Sequence, residues 1–249
     1  MRGAIALSWL AATAIAVAQP TDPPLSPAFR AMQADDSQNP GMLWVQDGLM
    51  HWRQPAGPQQ RSCRSCHGEI DSSGLRDVAL RHPAWDAVQG RALTLSQRIR
   101  TCQQRHQGLP PRGAEDDSVL ALEAALARQS RGLPQPALSD PRLVLLRAEG
   151  QHWWQRRIGQ IDLACTHCHD QRAGQRLAGS IVPAGHPLGY PVYRLEWQAL
   201  GSLQRRLRGC MVGVRAEPFE PDAPEWTALE LYLKQRAAGR IEHAPGVRP

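Results

Sequence analysis

Lysine is almost missing from this sequence: of its 29 Lys and Arg residues, only Lys234 is a lysine. Phenylalanine is nearly absent too, with two Phe and three Tyr against eight Trp, so large apolar side chains are few for a chain of 249 residues. No basic run reaches five residues and no aromatic–basic interleaving appears, which argues against a nucleic-acid partner. Beyond the N-terminal region no segment is long and apolar enough to cross a bilayer, which excludes a membrane span. Much of the chain must be turns and irregular connections, given 21 Gly and 21 Pro. The length allows one or two domains. The net charge of +6 is carried by arginine, a bidentate binder of oxyanions and carboxylates. For most of these arginines a composition bias is explanation enough.

At the N-terminus, Met1-Arg2 supplies a short positive region, Ala4 to Val17 an uncharged apolar stretch, and Ala16-Val17-Ala18 a small-residue cleavage pattern. Residues 1–18 therefore read as a cleavable signal peptide, and the mature chain is expected in an oxidising compartment, most simply a bacterial periplasm. Six cysteines in such a compartment would ordinarily suggest three disulfides. Their spacing points elsewhere. Cys63-Arg64-Ser65-Cys66-His67 and Cys165-Thr166-His167-Cys168-His169 are both C-x-x-C followed at once by His. In that motif two thiols add to the vinyl groups of one porphyrin and the next residue sets an imidazole under the iron. Zinc would not need the adjacent His. Two covalently attached haems c are therefore expected, and a flat, mostly apolar haem also fills an interior short of aromatics.

Aligned on these motifs, the chain repeats at about 100 residues. Gly48-Leu49-Met50-His51-Trp52 precedes the first motif and Gly150-Gln151-His152-Trp153-Trp154 the second. His82-Pro83 and His186-Pro187 follow them. Leu95-Ser96-Gln97-Arg98-Ile99-Arg100-Thr101-Cys102 then matches Leu203-Gln204-Arg205-Arg206-Leu207-Arg208-Gly209-Cys210, and Ala121-Leu122-Glu123 matches Ala228-Leu229-Glu230. The expected fold is mainly α: two tandem cytochrome c-like haem domains with long irregular loops, over residues 19–135 and 136–249. Helices are expected within 28–52, 93–103, 118–131, 141–158, 197–208 and 224–238, with a linker at 131–140.

His67 and His169 are the expected proximal iron ligands. For the sixth position, Met211 is matched in the first half only by Gln103, whereas Cys102 and Cys210 recur at equivalent places. Thiolate would stabilise ferric iron and lower the potential. Other readings stay open: a Cys102–Cys210 disulfide, two inert buried thiols, or distal ligation by His51 with His152 or by His82 with His186.

The stretch Gly189-Tyr190-Pro191-Val192-Tyr193-Arg194-Leu195-Glu196-Trp197, then Arg206-Leu207-Arg208-Gly209-Cys210-Met211, Val214-Arg215-Ala216-Glu217-Pro218 and Leu229-Glu230-Leu231-Tyr232-Leu233 resembles the SoxA family. SoxA is the dihaem subunit of L-cysteine S-thiosulfotransferase in bacterial thiosulfate oxidation. The resemblance implies thioether attachment at Cys63, Cys66, Cys165 and Cys168, and iron ligation by His67 with Cys102 and by His169 with Cys210. It also implies a catalytic Cys210 able to carry an extra sulfur, and substrate binding by Arg206. The implied partners are a monohaem cytochrome, SoxX, and the sulfur-carrier protein SoxYZ, with thiosulfate as substrate. The competing functions are an electron-carrying cytochrome without sulfur transfer, and a haem-free scaffold held by zinc or disulfides.

Overall fold

A computed structural model describes residues 25–177 and 179–249; the expected signal peptide lies outside them. In chain order the elements are α1 (Pro27–Ala34), α2 (Gly41–Arg53), α3 (Cys63–His67), α4 (Val78–Arg81), β1 (Ala84–Asp86), β2 (Arg91–Leu93) and α5 (Leu95–Cys102). A π-helical turn (Gln103–Gln107) and α6 (Asp117–Gln129) close the first half. A 3-10 turn (Pro141–Leu143) opens the second, followed by α7 (Val144–Gln155), α8 (Cys165–His169), β3 (Arg176–Leu177), β4 (Ser180–Ile181), β5 (Val192–Arg194), β6 (Ala199–Gly201), α9 (Leu203–Gly213), α10 (Pro224–Arg236) and β7 (Gly246–Arg248). The fold is mainly α, as expected, and the strands are short. None of the described helices is long and apolar enough to cross a membrane.

The repeat is visible as structure. Each half has a long helix leading into a short motif helix, then a two-stranded hairpin, a capped helix and a closing helix. Two polar caps set the hairpin-to-helix junctions. Thr94 and Gln97 form a reciprocal capping box at the start of α5, with N–H to side-chain distances of 3.1 and 3.0 Å. Ser202 Oγ accepts the Arg205 N–H at 3.0 Å at the start of α9.

In each half the leading and closing helices cross at a glycine. A Cβ on Gly48 of α2 would sit 2.1 Å from the Ala121 carbonyl oxygen of α6, and one on Gly150 of α7 would sit 2.0 Å from that of Ala228 on α10. Only a residue without a side chain allows so close a backbone approach. The crossing brings Trp52 and Trp154, both almost fully buried, down onto the motif helices. Trp52 Nε1 donates to the Gly68 carbonyl at 3.0 Å, and Trp154 Nε1 to Asp170 Oδ2 at 3.1 Å.

The sequence expectations need three adjustments. The helix expected over 28–52 is broken, because Asp35 leaves helical geometry and its side chain holds Ser37 and Gln38 in a turn. The helix expected over 197–208 starts later, since residues 199–201 are strand β6 and Ser202 is the cap. The His-Pro match is also shifted. Pro83 and Pro191 directly precede β1 and β5, so the counterpart of His82 is Tyr190 rather than His186.

The two halves are stitched together by their ends. Strand β7 runs parallel to β5, with Val192 opposite Gly246. Gln33 Oε1 on α1 accepts from Arg248 at 2.7 Å and from the Val247 N–H at 3.2 Å. The expected linker is pinned to the chain's end, where Gly132 N–H donates to the Glu242 carbonyl and Gln135 N–H to that of Arg240, each at 2.8 Å. Leu200 and Ala244 join the core of the first half.

Between the halves a cavity is lined by Glu123 of α6, Glu230 and Lys234 of α10, and Glu242. Lys234 Nζ donates to the Ala79 carbonyl at 2.6 Å and lies 4.0 Å from Glu230. Glu123 Oε2 has no partner among the described residues, and burial, then the charge of Glu230, pushes its carboxyl up to about 8.

Two outcomes follow from this packing. Gly150→Ala should cost about 3 kcal/mol, the upper range of overpacking, because the opposing atoms are backbone and cannot turn aside; urea denaturation of the purified protein reads it. Glu123 holds its proton in the fold to a higher pH than it does unfolded, so wild-type stability should fall as pH rises from about 4.5 to about 8. Glu123→Gln removes that loss and should gain stability over wild type across the same window, measured by thermal unfolding at stepped pH.

Candidate functional site

Helix α3 and helix α5 face each other across a cleft enclosing about 770 Å³ of empty space, partly open to solvent. Cys63, Cys66 and His67 form one wall, and Arg98, Ile99 and Cys102 the other, with Trp52, Leu122 and Leu126 behind. Gln103 Oε1 also lines this cleft and is buried without a hydrogen-bond partner among the described residues. Burial, reinforced by nearby Cys102, pushes the Cys63 thiol up to about 11. A thioether carries no charge and does not meet that penalty, so the wall suits covalent attachment better than a free thiolate. Burial raises the Cys102 thiol as well, while Arg98 and Arg105 work against it. The group that fits an apolar slot with a C-x-x-C-H wall and a thiol opposite is haem c.

The second motif repeats the plan. Helix α8 carries Cys165, Cys168 and His169, and α9 carries Arg206 and Cys210. His169 Nδ1 lies 2.7 Å from the Pro183 carbonyl oxygen. With the proton on Nδ1, that contact leaves Nε2 with a lone pair that could bind a metal. The Trp154 and His169 ring centroids are 5.5 Å apart, as Trp52 and His67 are at 5.8 Å. Arg236 stacks 4.6 Å over Trp154 and bonds Asp170 at 2.6 Å. Burial lowers the pKa of His169, and the charge of Arg206 adds to the shift. Burial pushes the Cys165 thiol up to about 11, with Cys210 as the next cause. Arg206, Cys210, Cys165 and His169 therefore share one electrostatic neighbourhood. Arg206 and Cys210 are four residues apart on α9, hence on one face of the helix.

The alternatives of the sequence reading are not gathered in this way. His51 and His152 are exposed on α2 and α7. His82 is buried with Nδ1 2.9 Å from the Val78 carbonyl oxygen, and burial pushes its pKa down to about 4. It does not line the first cleft. All six cysteines are unpaired thiols, which argues against a Cys102–Cys210 disulfide. No group of three His, Cys, Asp or Glu among the described residues is set to hold a metal on its own.

Several contributors were missed from sequence alone. The Trp residues before each motif were noted as repeats, but not as the planes against which the motif histidines rest. Gly185 makes room for Trp154, whose ring carbon lies 2.5 Å from where a Cβ would be. The shared register of the two halves was the signal available for pairing Tyr190 with His82.

Known proteins share the repeat pattern and the fold. The profile of the SoxA/TsdA cytochrome c domain matches residues 47–135 and again 149–241. The L-cysteine S-thiosulfotransferase subunit SoxA of Rhodovulum sulfidophilum is 32% identical over 221 residues, covering 88% of this chain and 76% of that protein. The subunit of the same name from Pseudaminobacter salicylatoxidans is 32% identical, over 88% and 77%. The crystal structure of SoxXA from P. pantotrophus superposes with a TM-score of 0.86 at 27% identity, covering 90% of this chain and 84% of that one.

Protein matured with haem should carry two haems per chain by pyridine haemochrome and intact mass. Cys66→Ala and Cys168→Ala should each leave a haem held through one thioether, shifting its reduced α-band. A mass corresponding to a single haem would contradict the two-site reading.

Proposed function

From the premise that the chain belongs to the SoxA/TsdA cytochrome c family, we propose that it is an L-cysteine S-thiosulfotransferase subunit joining thiosulfate to a cysteine of the carrier SoxYZ. The observation that carries this reading is Arg206 one helical turn before Cys210, on α9, in the electrostatic neighbourhood of His169. In the proposed arrangement Cys63, Cys66, Cys165 and Cys168 hold two haems c, His67 and Cys102 ligate the first iron, and His169 and Cys210 the second. The two haem units span residues 19–135 and 136–249.

The overall reaction is RSH + S2O3²⁻ → RS–S–SO3⁻ + H⁺ + 2 e⁻. Arg206 offers its planar fork of donors to the sulfonate end of thiosulfate and holds the outer sulfur toward Cys210. A sulfur–sulfur bond forms between Cys210 Sγ and that outer sulfur, and two electrons leave. The carrier thiolate then attacks the outer sulfur, takes the S–SO3⁻ group and returns Cys210 to thiolate, an exchange in which no further electrons move. Haem c, when bound, supplies the one-electron acceptor for the oxidative step. Trp154 and the Pro183 carbonyl hold the His169 imidazole in orientation. SoxX is the proposed heterodimeric partner and recipient of the electrons, and the periplasm the proposed location after removal of residues 1–18.

Cys210→Ala and Arg206→Ala, in haem-loaded protein, should each lose at least a hundred-fold in thiosulfate- and SoxYZ-dependent turnover. Turnover at the wild-type rate in either variant would overturn the proposal. Mass spectrometry of the Cys210 peptide after thiosulfate treatment separates this reading from a pure electron carrier: added sulfur supports transfer, and a thiol that stays unmodified supports the carrier.

A further inference from the structure

The two halves match in register from the hairpin to the cysteine of the facing helix, but one position changes sign. Asp86 ends β1 opposite Arg91, and Arg194 ends β5 opposite Ala199. Eight residues after each comes the helix cap, Thr94 or Ser202, and four further on comes Arg98 or Arg206. In the first half Arg98 Nη1 bonds Asp86 Oδ2 at 2.6 Å, and Asp86 is 3% exposed. That arginine is neutralised where it stands.

In the second half the equivalent of Asp86 is another arginine. Arg194 has a side chain only 12% exposed, stacked 5.1 Å over Trp197. Glu196 Oε1 pairs with Arg194 Nε at 2.8 Å, but this carboxylate is 53% exposed, whereas Asp86 is buried. Arg206 forms no ion pair among the described residues. Burial, then the charge of Arg206, lowers the pKa of Arg194, and both arginines act on Tyr190 beside Cys210.

We propose that Arg194 is a second anion-binding residue, forming with Arg206 a two-guanidinium clamp for the thiosulfate dianion, while Asp86 denies that role to Arg98 in the first half. The proposal rests on the thiosulfate reading above and explains why one of two matched sites takes the substrate. Arg206 and Arg194, the latter paired only with an exposed carboxylate, repel one another, and a dianion between them turns that cost into attraction. The clamp binds the sulfonate oxygens and leaves the outer sulfur to Cys210.

Arg194→Met keeps the aliphatic packing on Trp197 and removes the charge; Arg194→Gln is the alternative should Met disturb folding. In holoprotein with a wild-type circular dichroism spectrum, either should raise KM for thiosulfate about ten- to a hundred-fold, with kcat within about three-fold. Arg194→Lys should recover much of the loss. Equilibrium titration of oxidised holoprotein with thiosulfate, without carrier, should show the same weakening. That arm reads binding apart from turnover, so wild-type binding without transfer to the carrier would end the proposed reaction and leave the clamp standing. A KM and titration unchanged within two-fold in a folded variant would overturn the clamp. So would a fall in haem midpoint potential at unchanged KM, which would mean that Arg194 serves a porphyrin propionate instead.

Discussion

The close crossing of one helix pair organises each half of this protein. With no side chain at Gly48 or Gly150, the leading helix settles backbone against backbone on the closing helix, and the tryptophan one turn further on is driven toward the haem motif. The indole then does two jobs, bonding the end of the motif helix and lying against its histidine. The cysteines of the motif and the cysteine on the facing helix are separated by the slot this crossing leaves open. An interior poor in Phe is suited to it if, as proposed, a porphyrin is the largest apolar object in each half.

Much of this was legible in the residues. The two C-x-x-C-H motifs, the recurrence of Cys102 and Cys210, and the helices over 118–131 and 224–238 carry strong local signals: a fixed spacing, a repeat, a proline start and a glycine stop. The break in the first helix was hidden because Asp35 acts through its side-chain bonds to Ser37 and Gln38, which apolar spacing does not register. Strand β6 was absorbed into the following helix because three residues of alternating size look helical until Ser202 is identified as the cap. The His-Pro pairs misled for a related reason: Pro183, Pro187 and Pro191 all lie between the second motif and β5, and only the strand after Pro191 identifies the true counterpart.

Duplication followed by divergence explains how one scaffold supports two unlike sites. The fold-bearing features were kept in both copies: the glycine crossing, the tryptophan, the hairpin and the cap. One of the differences falls on a charged position, Asp86 in the first half and Arg194 in the second. In the first half an aspartate satisfies the arginine of the facing helix, and in the second that arginine meets another. In the proposed reading, a site that only holds iron gains from internal neutrality, whereas one that recruits a small dianion gains from its second arginine.

The last strand, β7, lies parallel to β5 and is tied to α1 at the other end of the described chain. Its inheritance is therefore shared: the extreme tail completes a sheet in the second copy while fastening the opening helix of the first. Removing either half would leave a strand or a helix of the other without its partner, so the two halves are bound together along one seam.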